Sequence, residues 1–369
     1  MEDLCSLLNK NGTRVLITGD SLSYNRYDFD PNFRTESSFC YPGMPSWSTL
    51  VLEAIYQNDP YYKFGNDISI NGCKSVTNIL PDCDEPMCML LHSRTAIIKS
   101  REMLSFTYSC PTDKIVLYLQ KRPDAHGCLF DIYIDGKPSA CNVSTVGNPE
   151  RYHGWERFMV ILNVTGDHEH IIEFQNIRCT GTAYITLAGV GSRGVEVYHS
   201  GIGSRTVSYF TENFEERIGK YKPDIFIFPI GANDQMLLSH SQFKNGLQEL
   251  TDMILECSSN CKMIFIAPGR GLHYEVPDSS DPTDIVGKLG TERFAYFSQY
   301  NKILNEHAEK IGAVCIDMLT LFKDIPIPEW RFDNIHLTKY GNTILAKEMI
   351  HILMPNGYYV EELIDANRK

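Results

Sequence analysis

Short stretches at the two ends of this chain carry side chains that could perform acyl transfer. Gly19-Asp20-Ser21-Leu22 follows the apolar run Arg14-Val15-Leu16-Ile17, which reads as a strand, so Ser21 stands where a strand ends and a helix is due to begin. A hydroxyl there is open to a ligand and lies near helix N-terminal amides. Far along the chain, Asp333 and His336 sit three residues apart, which on a helical or 3-10 turn puts both on one side. A serine triad needs a hydroxyl, a base to take its proton, and a carboxylate to hold the base. Ser21, His336 and Asp333 are the candidates for those parts. The plainer alternatives are caps: Asp20 or Ser21 on one helix, Asp333 on another.

Two further stretches could supply hydrogen-bond donors to an oxyanion. One strand-like run, Val195-Glu196-Val197-Tyr198-His199, leads into Ser200-Gly201-Ile202-Gly203-Ser204. Another, residues 223–230, leads into Gly231-Ala232-Asn233-Asp234. A glycine amide at Gly203 and the side-chain amide of Asn233 suit the task, since glycine lets backbone approach a ligand closely. Taken singly, each is also an ordinary turn after a strand.

These pieces need a frame. From residue 195, strand patterns at 195–199, 224–230, 262–267 and 313–317 alternate with helical patterns at 204–219, 241–257 and 291–311. Such alternation predicts a parallel sheet with helices on both faces, and the motifs fall at the carboxyl ends of strands, where open α/β sheets bind ligands. The stretch in between differs. Runs such as Lys114–Gln120, Leu129–Ile134, Phe158–Val164, His170–Phe174 and Ala183–Leu187 alternate apolar and polar residues with frequent turns, Asp135-Gly136 among them. That pattern predicts an all-β, jelly-roll-like sandwich. The expected division is a discontinuous catalytic domain, residues 1–60 and 193–369, with a β-sandwich domain inserted at 61–192.

Gly-Asp-Ser-Leu, a glycine turn, Gly-x-Asn-Asp and Asp-x-x-His, in that order, resemble the SGNH, or GDSL-type, serine hydrolase superfamily. The resemblance implies a flavodoxin-like, three-layer α/β/α fold with Ser21 as nucleophile and His336 as base, partnered by Asp333. It implies an oxyanion hole from the amides of Ser21 and Gly203 and the side chain of Asn233. Where family members often carry an asparagine before the glycine, this chain has His199-Ser200. Gly203 is preferred to Gly201 as the donor, because it adjoins the polar Ser204-Arg205-Thr206 that opens the next helical pattern. No metal or organic cofactor is expected.

Composition narrows the partners. The 369 residues are 43% hydrophobic and 22% charged, as in a globular enzyme. A formal net charge of −12, with no basic run, argues against nucleic acid. No signal peptide or membrane-spanning run is seen, so the expected location is cytoplasmic and the twelve cysteines are expected to remain thiols. Cys83/Cys88 and Cys257/Cys261 lack zinc-site spacing. The expected substrate is a small acyl ester, with an acetylated carbohydrate as the leading choice. A β-sandwich accompanies several sugar-deacetylating relatives, Trp330 could stack on a sugar ring, and Asp20 is a second candidate contact. Lipase or thioesterase activity, an O-acyltransferase and a non-catalytic sugar-binding protein are the alternatives. The β insertion could equally serve as a homo-oligomer contact or a wall of the cleft.

Overall fold

The apolar runs at 14–17, 225–229 and 262–267 are buried on both faces in the computed structural model of the chain. It describes residues 3–22, 46–71, 96–98, 103–109, 112–121, 127–146, 156–165, 168–181, 185–269, 290–331 and 335–355. Helix α1 (Leu4–Leu8) leads into β1 (Arg14–Ile17), and α2 (Trp47–Gln57) follows. A run of strands comes next: β2 (Lys63–Phe64), β3 (Ala96–Ile98), β4 (Leu104–Ser109), β5 (Lys114–Lys121), β6 (Cys128–Ile134), β7 (Lys137–Ser144), β8 (Glu156–Asn163), β9 (Glu169–Cys179) and β10 (Ile185–Gly191). Strand and helix then alternate through β11 (Glu196–His199), α3 (Val207–Glu212), α4 (Phe214–Arg217), β12 (Ile225–Pro229), α5 (Asp234–Leu237) and α6 (His240–Cys257). The chain closes with β13 (Lys262–Ala267), α7 (Gly290–Ile311), β14 (Val314–Asp317), α8 (Met318–Leu321), α9 (Ile327–Trp330) and α10 (Lys339–Leu353).

The architecture is mixed α/β around a parallel sheet of order β11-β1-β12-β13-β14. Numbered within that sheet alone, the strands run 2-1-3-4-5, so the winding reverses between β1 and β12. A doubly wound sheet opens its ligand crevice at that reversal. Alternate side chains of each strand enter different cores. Val15, Ile17, Ile225, Ile227, Ile264 and Ile266 pack with residues of α2 and α10, whereas Leu16, Phe226, Phe228 and Phe265 pack with residues of α3, α6 and α7. Strands covered on both faces read as continuous apolar runs, which is why their bounds follow the sequence pattern to within a residue. The helix expected over 204–219 departs from it. Ser204 takes a φ of 60°, and Asn213 leaves the helical region at φ −112°, ψ 30°, so helix starts at Val207 and breaks into α3 and α4.

The strands between α2 and β11 form two antiparallel sheets, β2-β10-β5-β8 with β3 also on β10, and β4-β9-β6-β7. Leu117, Leu119 and Leu187 from the first join Phe106, Phe130 and Phe174 from the second in one apolar cluster. The β6–β9 register sets Cys128 opposite Cys179, their Cα atoms 4.0 Å apart, and they form a disulfide. This corrects the expectation that the cysteines remain thiols: strand pairing brings together two residues 51 positions apart. Such a bond is at home where thiols are oxidised. Cys257 and Cys261 are free, and Cys83 and Cys88 lie outside the described residues. No helix among the described residues is long and apolar enough to cross a membrane.

Where the chain leaves α2 and where it returns from β10, one buried carboxylate holds both strands of the crossing. Asp59 accepts from the amides of Ser192 and Arg193 (2.9 Å for Arg193) and from the Ser192 hydroxyl at 2.8 Å. Arg193 Nη1 reaches back to the Asn58 carbonyl at 3.0 Å. Removing the carboxylate strands several donors in a buried place, each costing on the order of 1–3 kcal/mol. Asp59→Ala is therefore expected to lower the unfolding free energy by about 3 kcal/mol, read as a shift of the urea midpoint at unchanged slope.

Candidate active site

Ser21 is presented by a turn whose shape glycine alone permits. Gly19 has a φ of 138°, and a Cβ there would lie 2.1 Å from the Pro229 carbonyl oxygen. That close approach lets the Asp20 amide donate to Pro229 O at 3.2 Å, carrying the β1–β12 pairing past the end of the strand. The Asp20 carboxylate then accepts the Leu22 amide at 2.9 Å, while the Trp47 indole donates to the Leu22 carbonyl at 2.6 Å. Ser21, between them, is half-buried.

Asp20 is not a substrate contact, contrary to expectation. Its exposure is 0% because its carboxylate folds inward to close this turn. Trp330 is corrected in the same way. The ring is also 0% exposed, stacked on Phe322 with centroids 4.3 Å apart and an interplanar angle of 2°. Gly269 makes room for it, since a Cβ at 269 would come within 2.4 Å of the indole. Trp330 is core, with no face left for a sugar.

Burying Trp330 does, however, position His336. Arg331 and Leu337 pair as an isolated antiparallel bridge, and the Thr338 amide donates to Trp330 O at 2.9 Å. Thr338 then caps α10, its hydroxyl accepting the Gly341 amide at 3.1 Å. Arg331 and Leu337 are thus held together beside a buried indole and a helix start. Just before that helix, the His336 Nε2 lies 2.9 Å from Ser21 Oγ. Asn342, one turn into α10, accepts the Trp47 amide at 2.9 Å and ties the helix that follows His336 to the start of α2. Asp333 lies outside the described residues.

The donors expected for an oxyanion come from neighbouring strand ends. After β11, the Ser200 amide donates to Ile17 O and the Ile202 amide to Gly19 O at 2.8 Å, so Gly203 follows a residue bonded to the serine turn itself. Gly201 is buried and Gly203 half-buried. Asn233 begins α5 after β12, and its Nδ2 donates to Arg205 O at 3.1 Å. A side-chain amide carries two N–H groups, so one remains beyond that bond.

Asp234, present in the motif yet given no role by the sequence reasoning, joins these two loops. Its buried carboxylate accepts the Val207 amide at 2.8 Å and the Gly231 amide at 3.2 Å. It thereby caps α3 and fixes the turn that carries Asn233. Gly231 needs glycine there, with a φ of 112°. Burial pushes the Asp234 carboxyl up to about 6 from the usual 3.8, outweighing the amide bonds that pull it down. An acid raised in the folded state binds its proton more tightly there than in the unfolded chain. It stabilises the fold most at low pH and loses that contribution as pH climbs through about 6. Relative to Asp234→Asn, wild-type stability is expected to fall by roughly 1 kcal/mol between about pH 5 and 7. Urea unfolding of both proteins at several pH values measures this.

Residues 182–344 match the model of the GDSL-like Lipase/Acylhydrolase family. The match includes Gly203, Asn233, Asp333 and His336 and begins after Ser21. No curated protein matches the chain. Among solved structures it is similar to LAE5, an alpha/beta hydrolase enzyme from the metagenome of Lake Arreo, Spain: 18% identity, TM-score 0.34, covering 43% of this chain and 72% of that one. It is similar to Axe2, an acetylxylan esterase from Geobacillus stearothermophilus: 19% identity, TM-score 0.35, covering 44% and 74%. A peptidoglycan O-acetylesterase is 11% identical with a TM-score of 0.38, covering 98% of this chain and 95% of its own.

Proposed function

Because residues 182–344 match the GDSL-like Lipase/Acylhydrolase family model, we propose that the chain is a serine esterase of the SGNH/GDSL type that splits short acyl esters through Ser21 and His336. The observation that carries the reading is the 2.9 Å approach of His336 Nε2 to Ser21 Oγ, across 315 residues of sequence. In this mechanism His336 takes the hydroxyl proton as Ser21 Oγ attacks the ester carbonyl, and Asp333 orients the imidazole and stabilises its charged form. The tetrahedral oxyanion is held by the amides of Ser21 and Gly203 and by the free N–H of Asn233. His336 then protonates the departing alcohol. Water, deprotonated by the same imidazole, attacks the acyl-serine and releases the acid.

We assign the discontinuous segments 1–60 and 193–369 as the catalytic domain, and 61–192 as an inserted β-sandwich. The shared apolar cluster of the two antiparallel sheets and the Asp59 crossing support that division. An O-acetylated carbohydrate is the substrate class we favour. With Trp330 in the core, that choice rests on the β-rich insertion alone.

Hydrolysis of p-nitrophenyl acetate, butyrate and octanoate and of a peracetylated xylo-oligosaccharide tests both levels. Wild-type turnover selective for acetyl groups, falling by about 10⁶-fold in Ser21→Ala, is the expected result. Asn233→Ala is expected to lower kcat by about 10²–10³-fold with KM little changed, as befits a donor that acts chiefly in the transition state. Activity that survives in Ser21→Ala overturns the nucleophile. Preference for octanoate, or indifference to the oligosaccharide, overturns the carbohydrate reading and leaves the esterase intact.

A further inference from the structure

The hairpin turn between β6 and β7 gathers three metal-ligating side chains remote in sequence from every residue of the proposed mechanism. Asp135 occupies the turn at a φ of 51°. Its amide donates to Ile171 O at 2.9 Å, and its Oδ1 accepts the Ile171 amide at 2.9 Å. Both bonds fix the carboxylate and aim Oδ2 toward two histidines. His168 immediately precedes β9 and His170 is its second residue, two positions on, a spacing that in extended chain puts side chains on the same face. His170 Nδ1 lies 2.8 Å from Asp135 Oδ2, and His168 Nε2 lies 3.9 Å from that oxygen. The two imidazole centroids are 4.2 Å apart. One ligand atom from each of the three lies within 4.8 Å of the others.

We propose that Asp135, His168 and His170 form a binding site for a zinc-class divalent metal ion. At metal–ligand distances of about 2.0–2.1 Å, tetrahedral donors sit roughly 3.3 Å apart. The two separations from Asp135 Oδ2, 2.8 and 3.9 Å, straddle that value, and all three ligand atoms lie within 4.8 Å of one another, so an inward turn of a side chain brings the set into place. Most of the movement falls to His168, whose side chain is 60% exposed, while the His170 side chain is 2% exposed and pinned. Two imidazoles and one carboxylate suit zinc, nickel or copper, not magnesium or calcium, which favour oxygen ligands. Three protein ligands leave a fourth position for water.

The burial of His170 sets the strength of the site. Its Nε2 makes no hydrogen bond among the described residues. In a neutral ring that donates Nδ1–H to Asp135, metal binding at Nδ1 moves the proton to Nε2, with no net proton released. That buried N–H then lacks an acceptor, which costs binding free energy. That cost weakens the grip of the site on its metal. Its effect is to fasten the β6–β7 turn to the start of β9.

The test uses the full chain after chelator treatment. Zinc binding is followed by calorimetry, cobalt binding by its visible absorption, and Tm with and without zinc, in wild type and His168→Ala. Because His168 is exposed, its loss leaves the metal-free fold intact, and the metal-free Tm checks this. Wild type is expected to bind one zinc, to gain Tm, and to give a nitrogen–oxygen cobalt spectrum without thiolate charge-transfer bands. His168→Ala is expected to bind at least about 10-fold more weakly and to gain no Tm. Equal binding by both proteins, or a thiolate signature, places the metal on cysteines and overturns the proposal, as does absence of binding.

Discussion

A single close contact, the Gly19 α-carbon against the Pro229 carbonyl oxygen, governs the geometry of everything around Ser21. No side chain fits between them, and the backbone at Gly19 lies where L-residues rarely go. The contact draws the ends of β1 and β12 together at the one place where the sheet's winding reverses. The loops that carry Ser21 and Asn233 therefore leave the sheet side by side. The Ile202 amide, bonded to Gly19 O, adds the loop of Gly203 to the same point. Without that contact each loop could keep its residues and still lose its relation to the others.

Rigidity at this edge has been obtained at the expense of stability. Asp234 is a carboxyl held where water cannot reach it, and its raised titration is the measure of what burial costs. An apolar residue would spare that cost but could not accept two amides from two loops. A neighbouring set works likewise beneath the α5 turn, where Asn301 donates to Pro268 O at 2.9 Å and to Asp317 Oδ1 at 2.8 Å. Buried polar groups with satisfied partners fix one arrangement among several compact ones. An esterase site, which must keep donors aimed at a charge that exists only fleetingly, needs that fixity more than it needs the last increment of stability.

Much of this was legible in the residues, and the exceptions share a cause. Strands β1, β12 and β13 were readable because burial on both faces makes them almost uniformly apolar. Strand β7, Lys137–Ser144, was not, because its residues are largely exposed and carry no apolar alternation. The motifs singled out Ser21, Asn233 and His336, since acyl-transfer chemistry restricts residue type and order. They could not tell that Trp330 and Asp20 turn inward. What buries Trp330 is Phe322 and a space left by Gly269, and only the folded chain brings that glycine near. The Cys128–Cys179 bond depends in the same way on strand register, which composition does not reveal. Asp234 was in plain sight beside Asn233, yet its partners, Val207 and Gly231, belong to two separate loops.

The separation of Ser21 from His336 has a meaning for how the protein comes into being. Ser21 leaves the ribosome 315 residues before the His336 that comes to lie beside it. Strand β1 meets no sheet partner until β11 has been made, and the loop of His336 is anchored only when α10 has formed. Until then the nascent chain holds the Ser21 hydroxyl without the imidazole beside it. Contacts so distant in sequence form late and slowly. The pairing of the two side chains is therefore a product of the closing of the fold.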